Sequence, residues 1–235
     1  MKCLRLLTLL PLCALISACL TGQQDPPFTL TLAHMNDTHS QFDPVNAELK
    51  GALFGNQGEI DTLYTRLGGY PRLLTMTKAY QAEALAKNQP LLLLHGGDAW
   101  QGSGYFKLNE GMANAELLSQ FGLDAMALGN HEFDLDNQKL ARFIQGVNFP
   151  VLAANLDSRD DPDLSRASNL KPFVIYAFDG NQKSPVTDLD HLPADKQLVA
   201  VIGLVLEDMA NISPNVGKLR FAKEVASAQA TVDLL

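Results

Sequence analysis

Cysteine is nearly absent from this 235-residue chain, and its three copies, Cys3, Cys13 and Cys19, all fall within the first 19 positions. A disulfide framework in the body is therefore excluded, as are thiolate metal sites and cysteine nucleophiles beyond residue 19. Positive charge is also short. Lys and Arg number 18 against 26 Asp and Glu, a net charge of −8, and they form no cluster. A nucleic-acid polymer is thus a poor partner, because backbone binding needs concentrated basic side chains. No internal repeat, low-complexity tract or long block of like charge occurs, which excludes a solenoid and a disordered tail. What the chain does have is apolar material, 46% of its residues, enough for a substantial core at this length.

Long apolar runs are lacking too, except at the start. Met1 to Arg5 carries Lys2 and Arg5, and Leu6 to Ala18 is apolar apart from Thr8, Pro11 and Ser17. About 13 residues rising 1.5 Å each fall well short of a ~30 Å hydrocarbon layer. The pattern predicts a secretory signal peptide over residues 1–18. Leu15-Ile16-Ser17-Ala18-Cys19 resembles a bacterial lipobox. That resemblance implies cleavage before Cys19, a diacylglycerol on its sulfur and acylation of the new amino group. Leu20, standing where an Asp would retain the product in the inner membrane, implies sorting to the outer membrane. An ordinary signal peptide with a chance cysteine is the alternative. Residues 19–27, polar and ending in Pro26-Pro27, read as a stiffened tether, and 28–235 as the body. The expectation is an exported, outer-membrane-anchored lipoprotein, periplasmic or surface-facing.

The body alternates strand-like and helix-like stretches. Strands are expected at 28–35, 90–94, 125–128, 150–154, 173–176 and 198–206, and helices at about 70–87, 111–121, 135–146 and 222–235. The all-leucine run Leu91 to Leu94 suits a strand buried on both faces. This rhythm predicts an α/β sandwich built around buried strands. Residues 41–69, 156–170 and 180–196 read as long loops.

Three polar clusters follow three of these strands: Asn36-Asp37-Thr38-His39, His95-Gly96-Gly97-Asp98-Ala99-Trp100-Gln101-Gly102 and Gly129-Asn130-His131-Glu132-Phe133-Asp134. Carboxylates, imidazoles and an amide thus recur where α/β sheets hold their ligands, beyond the carboxyl ends of the strands. Asp, His and Asn together suit Zn²⁺, Mn²⁺, Co²⁺ or Fe²⁺ and do not select a thiolate-seeking metal.

In this order the three clusters resemble the metallophosphoesterase domain of the 5′-nucleotidase, UDP-sugar hydrolase and 2′,3′-cyclic phosphodiesterase family, within the calcineurin-like phosphoesterases. Leu67-Gly68-Gly69-Tyr70 and Phe149-Pro150-Val151-Leu152-Ala153-Ala154-Asn155 are similar to its connecting segments. The resemblance implies a metallophosphoesterase-like β-sandwich flanked by helices, in α-β-β-α layers. It also implies two divalent metal ions, Zn, Mn or Co, and hydrolysis of phosphate esters of nucleotides. Asp37 and His39 are then ligands of the first metal, Asp98 the bridging carboxylate and Asn130 a ligand of the second. His131 would donate to the phosphoryl or leaving-group oxygen, oriented by Asp134. Their i, i+3 spacing puts both on one face if the chain turns helical after Asn130.

The remaining polar residues have plainer readings. His34, alternating with apolar neighbours, is expected to be structural, and His95 to be a packed strand-end histidine or an outer-shell group. His191 is expected in solvent, Glu132 and Trp100 in the framework, and Asn155 either bracing the site or bonding to backbone. Asp157 to Asp163 lacks the glycine and terminal glutamate of a calcium loop and reads as a solvated face. The family's later histidine ligands have no counterpart, since none of the five histidines follows His191. The expectation is the amino-terminal part of such a domain, with its carboxyl-terminal part missing and its activity impaired. A non-catalytic surface lipoprotein or truncated remnant is the alternative.

Overall fold

The computed structural model describes residues 27–51 and 61–235. The signal segment, Cys19 and all but the last residue of the tether lie outside the described residues. Among the described residues, twelve strands run in chain order: β1 Thr31–Met35, β2 Val45–Gly51, β3 Asp61–Leu67, β4 Leu91–His95, β5 Ala125–Ala127, β6 Val151–Leu152, β7 Leu156–Asp157, β8 Leu170–Lys171, β9 Phe173–Asp179, β10 Gln182–Pro185, β11 Gln197–Ile202 and β12 Arg220–Phe221. The helices are α1 Tyr70–Ala86, α2 Gly104–Asn109, α3 Met112–Leu118, α4 Asn137–Gly146, α5 Met209–Ile212 and α6 Glu224–Leu234.

The central sheet has the order β1-β4-β5-β6-β8, and every neighbouring pair is parallel. Its two faces explain the leucine run of β4. Leu93 points into a core formed with α1, α3 and α4, where Leu118, Leu140, Phe143 and Ile144 are buried. Leu92 points the other way, into a second core with Ala125, Leu152, Val174, Tyr176 and Phe178. A strand buried on both sides has no polar face to alternate with. The second core is the interior of a sandwich, closed by the antiparallel sheet β10-β9-β11. The expected α/β sandwich with flanking helices is what the chain forms.

A polar strut joins the two sheets. Lys183 of β10 reaches across to the Leu91 carbonyl (2.7 Å) and to the buried Asp124 carboxylate. Asp124 also accepts from Leu93 N (2.7 Å), and Tyr176 Oη donates to its backbone carbonyl (2.6 Å). Helix α4 is set by Asp136, whose side chain accepts from Lys139 N at 2.9 Å and satisfies a free N–H of the first turn.

All three expected loops carry regular structure: 180–196 contains β10, and 156–170 contains β7, a 3₁₀ turn at Leu164–Arg166 and the first residue of β8. Residues 41–69 contain the antiparallel hairpin β2–β3, seven residues on each strand. Val45, Ala47 and Leu49 alternate with Asn46, Glu48 and Lys50, the period-two signal of a strand, while Val45, Leu63, Tyr64 and Leu67 stay exposed. The acidic stretch is only partly a solvated face. Arg159 and Arg220 pair with Asp157, but Asp161 is buried, accepting from Asn137 Nδ2 (2.7 Å), Asp163 N (3.0 Å) and Leu164 N (2.9 Å). Two of the sheet edges carry exposed apolar side chains, Leu32 on β1 and Leu198 on β11. Among the described residues, no helix is long and apolar enough to cross a membrane.

Candidate metal and phosphate site

The parallel sheet delivers the three polar clusters to one end. Past its strand the chain after β1 keeps pairing with the chain after β4: Gly96 N donates to Met35 O (2.8 Å), Asp37 N to Gly97 O (3.0 Å) and His39 N to Asp98 O (3.1 Å). This path needs unusual backbone. Asp37, His39, Ser40 and Asp98 all have positive φ, between 43° and 57°, a region that costs a side-chain-bearing residue energy and recurs at functional sites. Two glycines let the second and third loops touch. A Cβ on Gly97 would meet Gly129 N at 2.4 Å, and one on Gly129 would meet Asp98 Oδ1 at 2.1 Å. Only glycine fits at either place.

His39, Asp98 and His131 come together so that one ligand atom from each lies within 4.8 Å of the others. Each imidazole is already oriented. His39 Nδ1 lies 3.0 Å from the Trp100 carbonyl, which can only accept, so that nitrogen carries the hydrogen and Nε2 keeps its lone pair. His131 Nδ1 lies 2.8 Å from Asp134 Oδ2, and its Nε2 is likewise left for other partners. The pair sits in a 3₁₀ turn, His131–Phe133, where residues three apart eclipse. Burial opposes the His131 imidazolium, but the bond to Asp134 and the charges of Asp134 and Asp98 outweigh it and raise its pKa. Asp37 stands beside His39, Oδ1 to Nε2 3.5 Å, and a hydrogen bond from Asn36 holds its carboxyl below the usual range. Asn130 is half-buried at the start of the 3₁₀ turn, its carbonyl accepting from Phe133 N (3.2 Å).

Behind this surface lies a buried polar network that sequence reasoning missed. Thr38 Oγ1 meets both Tyr70 Oη (2.9 Å) and His95 Nε2 (3.2 Å). His95 Nδ1 accepts from Gly97 N (3.0 Å), so its hydrogen is on Nε2 and points to Thr38. His95 is 2% exposed, and burial pushes its pKa down to about 4, which keeps the ring neutral. Asn114 Nδ2 donates to the Ala99 carbonyl (2.6 Å), and Ser40 Oγ to Asn114 Oδ1 (3.0 Å). The network locks the loops carrying His39 and Asp98 from beneath. Its signals in the sequence were single polar residues inside helices and strand ends, which no spacing connects.

The other expectations divide. Glu132 and Trp100 are fully buried framework, and His191 is exposed beside Asp188 (2.9 Å). His34 is exposed on β1 and packs into no core. Asn155 is buried and bonds only to backbone: its Nδ2 donates to Val205 O (2.6 Å) and Ala222 O (2.9 Å), and its Oδ1 accepts from Val205 N (2.9 Å). A cavity of about 560 Å³, lined in part by Phe149, Phe173 and Tyr176, includes none of the strand-end polar groups.

The family model for calcineurin-like phosphoesterases matches residues 30–205, most of the described body. The chain belongs to the calcineurin-like phosphoesterases. It is similar to the NAD 5′-nucleotidase of Haemophilus influenzae, 30% identical over 207 residues, covering 88% of this chain and 30% of that protein. It is equally similar to the 5′-nucleotidase of Bos taurus, 30% identical over 212 residues, covering 89% of this chain and 32% of the relative. A solved 5′-nucleotidase precursor from Thermus thermophilus superposes with a TM-score of 0.69 at 32% identity, over 88% of this chain and 34% of that one. The chain therefore spans about a third of the length of the curated relatives it matches. Calcineurin-like phosphoesterases use divalent metals, and the donor set suits them. Carboxylates and imidazoles converge, and His39 Nδ1 is committed to the Trp100 carbonyl, so its Nε2 presents the lone pair a cation requires.

Proposed function

We propose that this chain carries the metal-binding amino-terminal half-site of a 5′-nucleotidase-like hydrolase, acting on phosphate esters of nucleotides. The observation that carries the reading is the convergence of three strand-end loops, with His39, Asp98 and His131 offering ligand atoms within 4.8 Å. Asp37 and His39 would hold a first divalent ion, Zn, Mn or Co, with Asp98 bridging to a second held by Asn130. Bound there, such ions supply acidification of a water and neutralisation of phosphate charge. The relatives' names support nucleotides as the substrate class.

The chain's own residues supply the rest. Asp134 holds His131 by Nδ1 and favours its protonated form, so that Nε2 presents a proton toward the site. A positioned imidazolium offsets charge growing on a departing oxygen. Asp98 keeps Oδ2 for a ligand because Oδ1 accepts from His131 N at 3.0 Å. Two carboxylates, one imidazole and one amide are few donors for two ions, so these residues by themselves make a weak phosphatase. The amino-terminal segment supports an outer-membrane lipoprotein anchored through Cys19, facing the periplasm or the surface.

Phosphate release from a nucleoside 5′-monophosphate with Mn²⁺ tests the reading. Slow hydrolysis that EDTA stops and Asp98→Asn abolishes is expected. Unchanged turnover in Asp98→Asn would remove the bridge from the scheme. No hydrolysis by the wild type, with Mn²⁺ still bound, would favour a binding lipoprotein without catalysis.

A further inference from the structure

Glu132 has no exposed surface, and no ion pair is made to it among the described residues. Its carboxylate is nonetheless fully occupied. Oε1 accepts from Ala99 N (2.7 Å) and Trp100 N (3.2 Å), and Oε2 from Asp98 N (2.9 Å) and Gly129 N (2.7 Å). Four donors and no acceptor surround it, an arrangement that suits an ionised carboxylate. Three of these donors belong to the loop after β4, which carries Asp98, and the fourth to the loop after β5, which carries Asn130 and His131. In the opposite direction, Asp98 Oδ1 accepts from His131 N at 3.0 Å. Each loop thus grips the backbone of the other through one carboxylate, and the crossing point is Asp98, whose φ of 57° is unfavourable for a residue with a Cβ.

We infer that Glu132 is a positioning residue: its carboxylate clasps the second and third strand-end loops together and holds Asp98 in its left-handed conformation before any ligand binds. The carboxyl group acts only through Asp98, Asn130 and His131 and touches no substrate. A backbone N–H cluster of this kind relaxes when its anion is removed, because the peptide units then repel one another. A glutamine of the same shape satisfies one pair of N–H groups and aims its own amide hydrogens at the other. Either the Ala99 and Trp100 bonds or the Asp98 and Gly129 bonds would therefore be lost while the surrounding core stays filled.

This inference rests on the metal-site reading only in its second measurement. The first is amide hydrogen exchange on the metal-free chain. In Glu132→Gln, the amides of at least one of the two pairs, Ala99 with Trp100 or Asp98 with Gly129, are expected to exchange at least tenfold faster relative to those of Leu92 and Leu93. The control is Leu140→Ala, a core truncation in α4, which should accelerate both groups alike. The second measurement is Mn²⁺ titration by calorimetry, where Glu132→Gln is expected to weaken binding about 10- to 100-fold and Leu140→Ala less than threefold. Unchanged relative exchange in Glu132→Gln overturns the clasp, as does an equal loss of Mn²⁺ affinity in both variants. If the wild type binds no Mn²⁺, the metal-site reading fails and the exchange result alone decides the clasp.

Discussion

Lowering the pH should destabilise this protein through one buried ring, and the size of the effect follows from its surroundings. His95 is 2% exposed and is held neutral, with Nδ1 accepting from Gly97 N and Nε2–H directed at Thr38. Protonation would put a hydrogen on Nδ1, facing the Gly97 N–H, and bury a charge. Burial accordingly lowers the pKa from 6.5 to about 4 in the folded chain. A group whose folded pKa is depressed stabilises the fold above its unfolded pKa and loses that contribution as pH falls toward the folded value. The window is therefore about pH 6.5 down to 4, and the loss between pH 7.5 and 4.5 comes to roughly 2–3 kcal/mol at ~1.4 kcal/mol per unit. His95→Gln is the comparison, since its side-chain amide preserves an acceptor for Gly97 and a donor for Thr38 without titrating. Urea unfolding of both proteins across this range cancels the contribution of every other titrating group. Wild type should lose about 2–3 kcal/mol more than the variant on acidification. Parallel stability curves, or an imidazole that titrates near 6.5 by NMR, would refute the reasoning.

Other consequences are equally direct. Asn155→Ala leaves the Val205 N–H without its acceptor and two carbonyls without a donor, at a cost of about 3 kcal/mol in denaturant unfolding. Lys183→Met strands the Asp124 carboxylate between the sheets; with the lysine partly exposed, about 2 kcal/mol is expected, read as a lower thermal midpoint. For the chemistry, Asp134→Ala and His131→Asn should each slow Mn²⁺-dependent phosphate release by ~10²-fold or more. Because Asp134 works through His131, the double variant should be no slower than His131→Asn alone, whereas additive losses would separate their roles.

Much of the site was visible in the sequence because its chemistry is local. Asp37 and His39, Asp98, and Asn130 to Asp134 each sit within a few residues of a strand end, so strand periodicity together with polar residues located them. The same holds for the leucine run of β4, buried on both sides, and for α4, whose apolar residues Leu140, Ala141, Phe143 and Ile144 are the ones it buries. The hairpin β2–β3 was legible only in part: Val45, Ala47 and Leu49 alternate with Asn46, Glu48 and Lys50, but Val45, Leu63, Tyr64 and Leu67 stay exposed, so little burial accompanies the pattern. Asp161 looked like one more surface acid, and only its neighbours Asn137 and Leu164 explain its burial.

By itself the sequence determined the scarcity of thiols, the acidic balance, the alternation of the main strands and helices, and the three clusters that carry metal-seeking side chains. Tertiary structure alone decided which of these meet. His39 and Asp98 are 59 residues apart in the chain and become neighbours because parallel pairing of β1 with β4 places their carboxyl ends side by side. It also decided the tautomers of His39, His95 and His131, since each depends on an oxygen or N–H brought from elsewhere or fixed by a turn. Glu132 is the sharpest case. Its place beside His131 is written in the sequence, but its four donors exist only once the left-handed loop after β4 is folded against the loop after β5. Local patterns record which side chains a strand or helix buries, whereas hydrogen-bond partners depend on distances that only the closed sandwich sets.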